Sequence, residues 1–310
     1  MTARDHGGGI DQALLRWGGD KQDWLDLSTG INPVPYPDRT CPHDSWTTLP
    51  DEDAQERLLA AARRFWSVPD TLDIVAAPGA SALIATIPSL WPAGRVDIPH
   101  PTYNEHAAAF KNWGWTGDDQ ATTRVLVNPN NPDGRLWSAD DLRGPTVVDE
   151  SFCDVCPERS LLQHAQQDDV IVLKSFGKFW GLAGLRLGFA ICLPDIAQNL
   201  RNRIGPWAVS GPALHIGTAA LRDDIWAKNT RVRLKKDAAR MDAVLTASGL
   251  EIAGGTDLFR LVRAQNATSL QDRLAAKRIL VRIFPYSGTL VRFGLPGSAQ
   301  QWARLDGALA

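Results

Sequence analysis

The run Leu173-Lys174-Ser175-Phe176-Gly177-Lys178-Phe179-Trp180-Gly181-Leu182-Ala183-Gly184-Leu185-Arg186-Leu187-Gly188 places a hydroxyl, an amine and a guanidinium in one small-residue turn between two apolar segments. Ser175 precedes Lys178 by three residues and Arg186 follows it by eight. A hydroxyl and a guanidinium so spaced can converge on one phosphate while the amine between them does covalent work. Glycines at 177, 181, 184 and 188 let the backbone pass close to a bound group. Lys174 is a second amine, one residue inside the preceding strand. Upstream, Val147-Val148-Asp149-Glu150 ends an apolar run in two acids, and a carboxylate there needs a charged partner to offset its desolvation. Asn128-Pro129-Asn130-Asn131-Pro132-Asp133-Gly134 follows another apolar run and has turn composition. Ala76-Ala77-Pro78-Gly79-Ala80-Ser81 leads from a strand into an apolar helix, whose free first amides, with the Ser81 hydroxyl, suit a phosphate.

Taken with Pro101-Thr102-Tyr103, these segments fall in one order: small-residue turn, PTY, NPNNPDG, VVDE, then SxxK followed by GLAGLRLG. That order resembles the fold-type I pyridoxal-phosphate enzymes of the aspartate aminotransferase superfamily. The resemblance implies pyridoxal 5'-phosphate as cofactor, with Lys178 bonded to its aldehyde. It assigns the cofactor phosphate to Ser175, Arg186, Ser81 and the backbone of Ala80, and the phenolic oxygen to Asn131. Asp149 would face the pyridine nitrogen, and Tyr103 would lay its ring against the cofactor. Two positions depart from the family pattern: Asp133 stands where Thr is usual, and Phe152 where many relatives have a Tyr that bonds the phenolic oxygen.

Near the C-terminus, Leu280-Val281-Arg282-Ile283 and Leu290-Val291-Arg292-Phe293 put arginines on two predicted strands. By the same resemblance Arg292 grips the substrate carboxylate, and Arg282 meets the phosphate of phosphorylated substrates. His6-Gly7-Gly8 and Asp26-Leu27-Ser28-Thr29-Gly30-Ile31-Asn32-Pro33 resemble the N-terminal arm of the threonine-phosphate decarboxylases of cobalamin biosynthesis. This implies a small phosphorylated amino acid as substrate, L-threonine O-3-phosphate, converted to (R)-1-aminopropan-2-yl phosphate and CO2. His6, Thr29, Gly30, Asn131, Arg282 and Arg292 would bind it. Histidinol-phosphate aminotransferases share the core motifs but lack the HGG arm. The cofactor motifs themselves leave open which bond to the substrate α-carbon breaks.

The elements that must position these groups follow from pattern. A helical period behind Asp51 carries Leu58, Leu59, Ala62 and Phe65. Apolar runs at 72–76, 125–127, 146–148, 170–173 and 187–192 read as strands buried on both faces, with crossovers long enough for helices. They predict an α/β fold: a three-layer α/β/α large domain with a mainly parallel sheet, plus a smaller α/β domain. A basic helix over 226–248, strands at 258–262, 280–283 and 289–293 and a helix at 270–277 build the smaller one. The expected division is 1–50 as an arm belonging to the small domain and poor in elements of its own, 51–205 as the large domain, and 206–310 as the small domain. The resemblance adds a homodimer.

With 310 residues, 33 Lys+Arg against 35 Asp+Glu and a net charge of −2, the chain has no global basic field to draw it to nucleic acid or anionic membrane. Any anion site must be local. No apolar run reaches the length of a membrane span. The first residues lack a signal-peptide pattern and four cysteines are too few for a disulfide framework, so the cytoplasm is expected. Cys153-x-x-Cys156 has no second pair and reads as incidental, and no metal is expected. Twelve Trp against three Tyr is an excess that composition does not explain.

Overall fold

A computed structural model describes residues 6–166 and 169–310. The chain opens with α1 (Ile10–Trp17) and the short strand β1 (Leu25–Asp26). Helix α2 (Glu52–Phe65) is capped by the Asp51 carboxylate, which accepts from Ala54 N at 2.6 Å. There follow β2 (Asp73–Ala77), α3 (Ala80–Thr86), β3 (Arg95–Asp97), α4 (Asn104–Asn112), β4 (Thr116–Gly117), β5 (Thr123–Val127), β6 (Thr146–Asp149), β7 (Ile171–Ser175) and β8 (Gly188–Cys192). Helices α5 (Pro194–Ile204), α6 (Gly211–Arg222) and α7 (Asp224–Ala247) come next. The chain closes with β9 (Glu251–Thr256), β10 (Phe259–Arg263), α8 (Ala267–Ala275), β11 (Ile279–Leu280), β12 (Arg282–Phe284), β13 (Ser287–Gly294) and α9 (Ala299–Leu309).

Two compact units result, one of residues 35–131 and 135–229, the other of residues 1–34, 132–134 and 230–310. The divisions therefore fall at 34/35 and 229/230, where the sequence pattern placed them at 50/51 and 205/206. The reason is packing: α6 lies against α2 and against a 3-10 turn at His43–Trp46, so both ends of that contact stay with the larger unit. The N-terminal arm is also more structured than its Gly/Pro content suggests. Ile10, Ala13, Leu14 and Trp17 form a one-sided apolar stripe on α1 that packs with Trp24, Ala275 and Leu280. Eight residues between glycines are too few for that period to stand out.

In the larger unit seven strands run in the order β2-β8-β7-β6-β5-β3-β4, and only β8 is antiparallel to its neighbours. Strands β5, β6 and β8 are buried along their whole length, which is why they read as unbroken apolar runs rather than alternating ones. Helices α3, α4 and α5 cover one face through Leu83, Ile84, Phe110, Ala197 and Leu200. The carboxyl ends of β2, β5, β6 and β7 all open on one edge, the position where ligands bind in open α/β sheets.

An aromatic cluster underlies the loop between β7 and β8. Trp180 is fully buried and stacks on Phe176 at 5.1 Å and on Trp226 at 5.3 Å, both at 13°. Phe65, Phe179 and Tyr36 meet it at steeper angles. The indoles of Trp180 and Trp66 donate to the two oxygens of buried Asp154, at 3.1 and 2.9 Å. Beside them Lys174 Nζ lies 2.6 Å from Glu150 Oε2, both side chains buried, and Glu150 also accepts from Ser160 Oγ and Leu161 N. Burial opposes the charge on Lys174, but Glu150, Cys153 and Asp154 more than offset it and raise its pKa.

In the smaller unit β12-β13-β10-β9 form an antiparallel sheet, β1 pairs with β11 in parallel, and α8 packs on β11, β12 and β13. Strand β9 carries Gly254-Gly255 in its middle and so escapes recognition from propensity. Its glycines admit residues 133 and 134: Gly255 N donates to Asp133 O at 2.9 Å, and a Cβ on Gly134 would overlap the Gly255 carbonyl.

Trp180→Ala should destabilise the fold by about 3–5 kcal/mol, measured by denaturant unfolding, because it empties the centre of the aromatic cluster. Lys174→Met should cost about 3–5 kcal/mol by leaving Glu150 charged and unpaired, and adding Glu150→Gln should recover most of that loss. Equal stability of the single and double variants would contradict the pairing.

Candidate active site

Ala80, Ser81, Tyr103, Asn131, Asp149, Ser175, Lys178 and Arg186 line one cavity in the larger unit, together with Ile84, Val127, Ser151, Phe152, Gly177 and Ala183. Each is delivered by an element end. Ser81 begins α3, Asn131 follows β5, Asp149 ends β6, Ser175 ends β7, and Lys178 lies in the loop beyond it.

Asp149 is the best-defined group. Its Oδ2 is 2.9 Å from His106 Nε2, and Oδ1 accepts from Ser151 N at 2.9 Å and Ser151 Oγ at 2.5 Å. His106 stands in the first turn of α4 and both side chains are buried. Burial alone would raise the carboxyl pKa, but the hydrogen bond and charge of His106, with the two bonds from Ser151, outweigh it and hold the group below its ordinary value. A buried, charged acid at a cavity wall can stabilise a cation placed there.

Other groups of the lining are donors. Helix α3 has Gly79 at its N-cap and no side chain satisfying its first amides. Arg186, in the left-handed conformation at φ 51°, lays its guanidinium over Gly79, where an added Cβ would stand 2.5 Å from Nη2. Gly188 is equally constrained: a Cβ there would be 2.3 Å from Ala80 N. Ser175 Oγ accepts from Gly177 N at 3.3 Å, which turns the loop back toward this cradle. Free amides, two hydroxyls and a guanidinium form a donor set for a phosphate, and the ionised acid in the same lining suits a protonated ring nitrogen. The residues therefore fit pyridoxal phosphate.

Lys178 Nζ lies 5.3 Å from the Phe152 ring centroid. Lys174, the other amine of the segment, is held by Glu150 and does not line the cavity. Tyr103 packs edge-on to His106 at 6.0 Å. The loop carrying Asn131 is fixed by its neighbours: Asn130 Nδ2 donates to Pro101 O at 2.9 Å and Oδ1 accepts from Thr102 Oγ1 at 2.6 Å, while Asn128 bonds Arg159 O and Trp137 N. His106 and Ser151 went unrecognised in the sequence, although a buried acid demands such partners and His106 is only three residues beyond Tyr103.

The remaining predicted residues, His6, Thr29, Gly30, Arg282 and Arg292, belong to the smaller unit. Arg282 and Arg292 are directly opposed on β12 and β13, so their side chains emerge on one face. Arg292 is buried, and burial together with the neighbouring Arg282 charge lowers its pKa to about 10. Two guanidiniums on one face can together meet a ligand that carries negative charge. Thr29 and Gly30 are half-buried and buried, and His6 is exposed. Cys153 and Cys156 sit in a 3-10 turn and its cap, and the hydrogen bond with Cys156, with burial, raises the Cys153 thiol pKa. No cluster of metal-ligating residues occurs among the described residues.

A model of the aminotransferase class I and II family matches residues 117–305. A threonine-phosphate decarboxylase from Sinorhizobium sp. is 40% identical, over 98% of this chain and 97% of that protein. One from Pseudomonas aeruginosa is 37% identical over the same shares. Among solved structures, the histidinol-phosphate aminotransferase of Sinorhizobium meliloti, in complex with pyridoxal-5'-phosphate, superposes with a TM-score of 0.84 at 19% identity, covering 100% of this chain and 98% of that one. The fold is that of the fold-type I enzymes, and the chain belongs to the class I and II aminotransferase family.

Proposed function

We propose that this protein is a pyridoxal-phosphate-dependent carboxy-lyase that converts L-threonine O-3-phosphate to (R)-1-aminopropan-2-yl phosphate and CO2 in cobalamin biosynthesis. The observation that carries the proposal is the match, over nearly the whole of both chains, to proteins named for that activity. The opposed arginines add physical support, because guanidiniums suit both the carboxylate and the phosphate that a phosphorylated amino acid brings. We assign a cytoplasmic homodimer on the same reading; no helix among the described residues is long and apolar enough to cross a membrane.

Pyridoxal phosphate supplies, when bound, an electron sink for the pair left on the substrate α-carbon as CO2 departs. The chain's residues do the rest. Ser81, Ser175, Arg186 and the Ala80 amide hold the cofactor phosphate, and Asn131 donates to the phenolic oxygen. Asp149, kept ionised by His106 and Ser151, holds the proton on the ring nitrogen. Phe152 has no hydroxyl to add a second bond at the phenolic oxygen, so that position rests on Asn131. Tyr103 limits the ring's motion from one side. Arg292 orients the substrate carboxylate, and Arg282 with His6, Thr29 and Gly30 takes the substrate phosphate. Lys178 would hold the cofactor, and its amine would return a proton to the substrate α-carbon.

Purified holoenzyme should release CO2 from L-threonine O-phosphate with no keto acid present. Glutamate-dependent conversion of an imidazole phosphate ketone without CO2 release would favour an aminotransferase instead. Lys178→Ala should lower turnover by about 10²-fold or more and abolish the absorbance of the lysine-bound cofactor.

His106→Gln tests the electrostatics of Asp149. A carboxyl whose folded pKa is depressed stays ionised as pH falls through its ordinary value of about 4 and is lost only below it. With the His106 charge removed, burial dominates and the pKa rises, so the acid limb of the pH–rate profile should move to higher pH. An unmoved limb would separate His106 from the ionisation of Asp149.

A further inference from the structure

Ser28 is buried and all three of its polar groups are engaged. Its N–H and Oγ–H both donate to Asp26 Oδ1, at 2.8 and 2.6 Å. With its proton committed to Asp26, Oγ can only accept, and it takes the Gly8 N–H at 2.7 Å. The Ser28 carbonyl accepts from Arg292 Nη2, also at 2.7 Å. One residue thus ties the strand arginine to the N-terminal segment.

The segment lies flat against that residue. A Cβ on Gly7 would stand 2.4 Å from Ser28 O, so only glycine allows this approach, and Gly8 adopts φ 84° to continue along it. On the other side Gly294 N donates to Leu27 O at 2.6 Å, and Leu27 N donates to Leu280 O at 2.8 Å. Residues 27 and 28 are therefore clamped between the end of β13 and the end of β11, and the arm is laid on top.

We propose that Ser28 is the specificity-determining positioning residue of the substrate-binding half, setting the separation between the guanidinium of Arg292 and the arm that carries His6. The proposal rests on the decarboxylase reading above, in which Arg292 takes the carboxylate and the arm takes the phosphate. A guanidinium has five donors; spending one on a fixed carbonyl sets the plane in which the others meet a carboxylate. A phosphorylated amino acid carries two anions at a limited range of separations, so a rigid spacing between their receptors selects for it over an amino acid with one. Asp26 holds the Ser28 hydroxyl in the acceptor role on which the arm depends.

The test uses holoenzyme, with Ser28→Ala, which removes the acceptor of the Gly8 amide, and Gly7→Ala, which lifts the exposed arm and leaves Ser28 intact. Dissociation constants for L-threonine O-phosphate and for L-threonine are read from the change in cofactor absorbance on titration, which needs no turnover. Both variants should lose about tenfold in affinity for L-threonine O-phosphate and remain within about twofold of wild type for L-threonine. KM for L-threonine O-phosphate should rise by more than kcat falls, and the absorbance of the unliganded holoenzyme should stay at the wild-type position. Equal losses for both ligands would mark Ser28 as a purely structural residue and overturn the proposal, as would unchanged affinity for the phosphorylated ligand. Wild-type enzyme that binds L-threonine O-phosphate without releasing CO2 would overturn the decarboxylase reading, and the binding comparison would still decide the role of Ser28.

Discussion

A carboxylate that must remain charged at the buried end of a strand is the constraint around which the larger unit is arranged. Asp149 is 2% exposed, and desolvation on that scale would neutralise an isolated acid. The fold supplies His106 from α4 and two donors from Ser151, and so keeps it ionised. For His106 to reach it, α4 must start beside the ends of β5 and β6. The latch of Asn130 onto Pro101 and Thr102 joins the turn before α4 to the turn after β5, and so holds that register. The backbone closes the arrangement: Asn128 N bonds Asp149 O at 2.8 Å, and Glu150 N bonds Leu173 O at 3.0 Å.

The next acid, just past the end of the same strand, answers a different demand. Glu150, one residue past the end of β6, does not line the cavity and meets Lys174 on β7, so Asp149 and Glu150 face opposite ways, as extended backbone alternates. The same alternation separates Lys174 from Ser175. One neighbour of each pair lines the cavity and the other is locked beneath it, which is why two amines four residues apart in Leu173–Lys178 have unrelated surroundings. A buried ion pair is weak evidence of stability by itself. Here it crosslinks the two strands whose ends present Asp149 and Ser175.

Most of this was legible in the chain where chemistry demands a motif. The strands at 125–127, 146–148, 170–173 and 187–192 are evident because both their faces are buried, whereas the residues from Ala80 to Arg186 were drawn together by the order of motifs that resembles a known family. What escaped depends on contacts distant in sequence. His106 looks like any polar residue on a helix until α4 is set against β6. Strand β9 hides behind Gly254-Gly255, which serve the close approach of Asp133 to Gly254 and of the Phe259–Arg260 backbone to Gly255 rather than strand propensity. Helix α1 is brief and flanked by glycine, and its stripe gains meaning only from Ala275 and Leu280, far along the chain. The unit boundary moved because α6 found its partner in α2, a pairing that no local pattern announces.

The tryptophan excess acquires a physical reason at the same level. An indole fills a large volume and carries a single donor, so it can pack as a hydrophobe while satisfying one buried acceptor. Trp66 and Trp180 do this for Asp154, Trp137 for Val127 O and Trp115 for Pro88 O, while Trp24 and Trp17 donate to the more open Gly18 O and Asp272. Trp180 matters most for the site, because it belongs to the loop that carries Lys178. A glycine-rich loop is entropically costly to order. Stacking Trp180 between Phe176 and Trp226, with its N–H fixed by Asp154, anchors that loop two residues beyond the lysine. The glycines can then admit a phosphate close to the backbone without leaving the reactive amine free to wander, so the aromatic cluster and the glycine frame are two halves of one device.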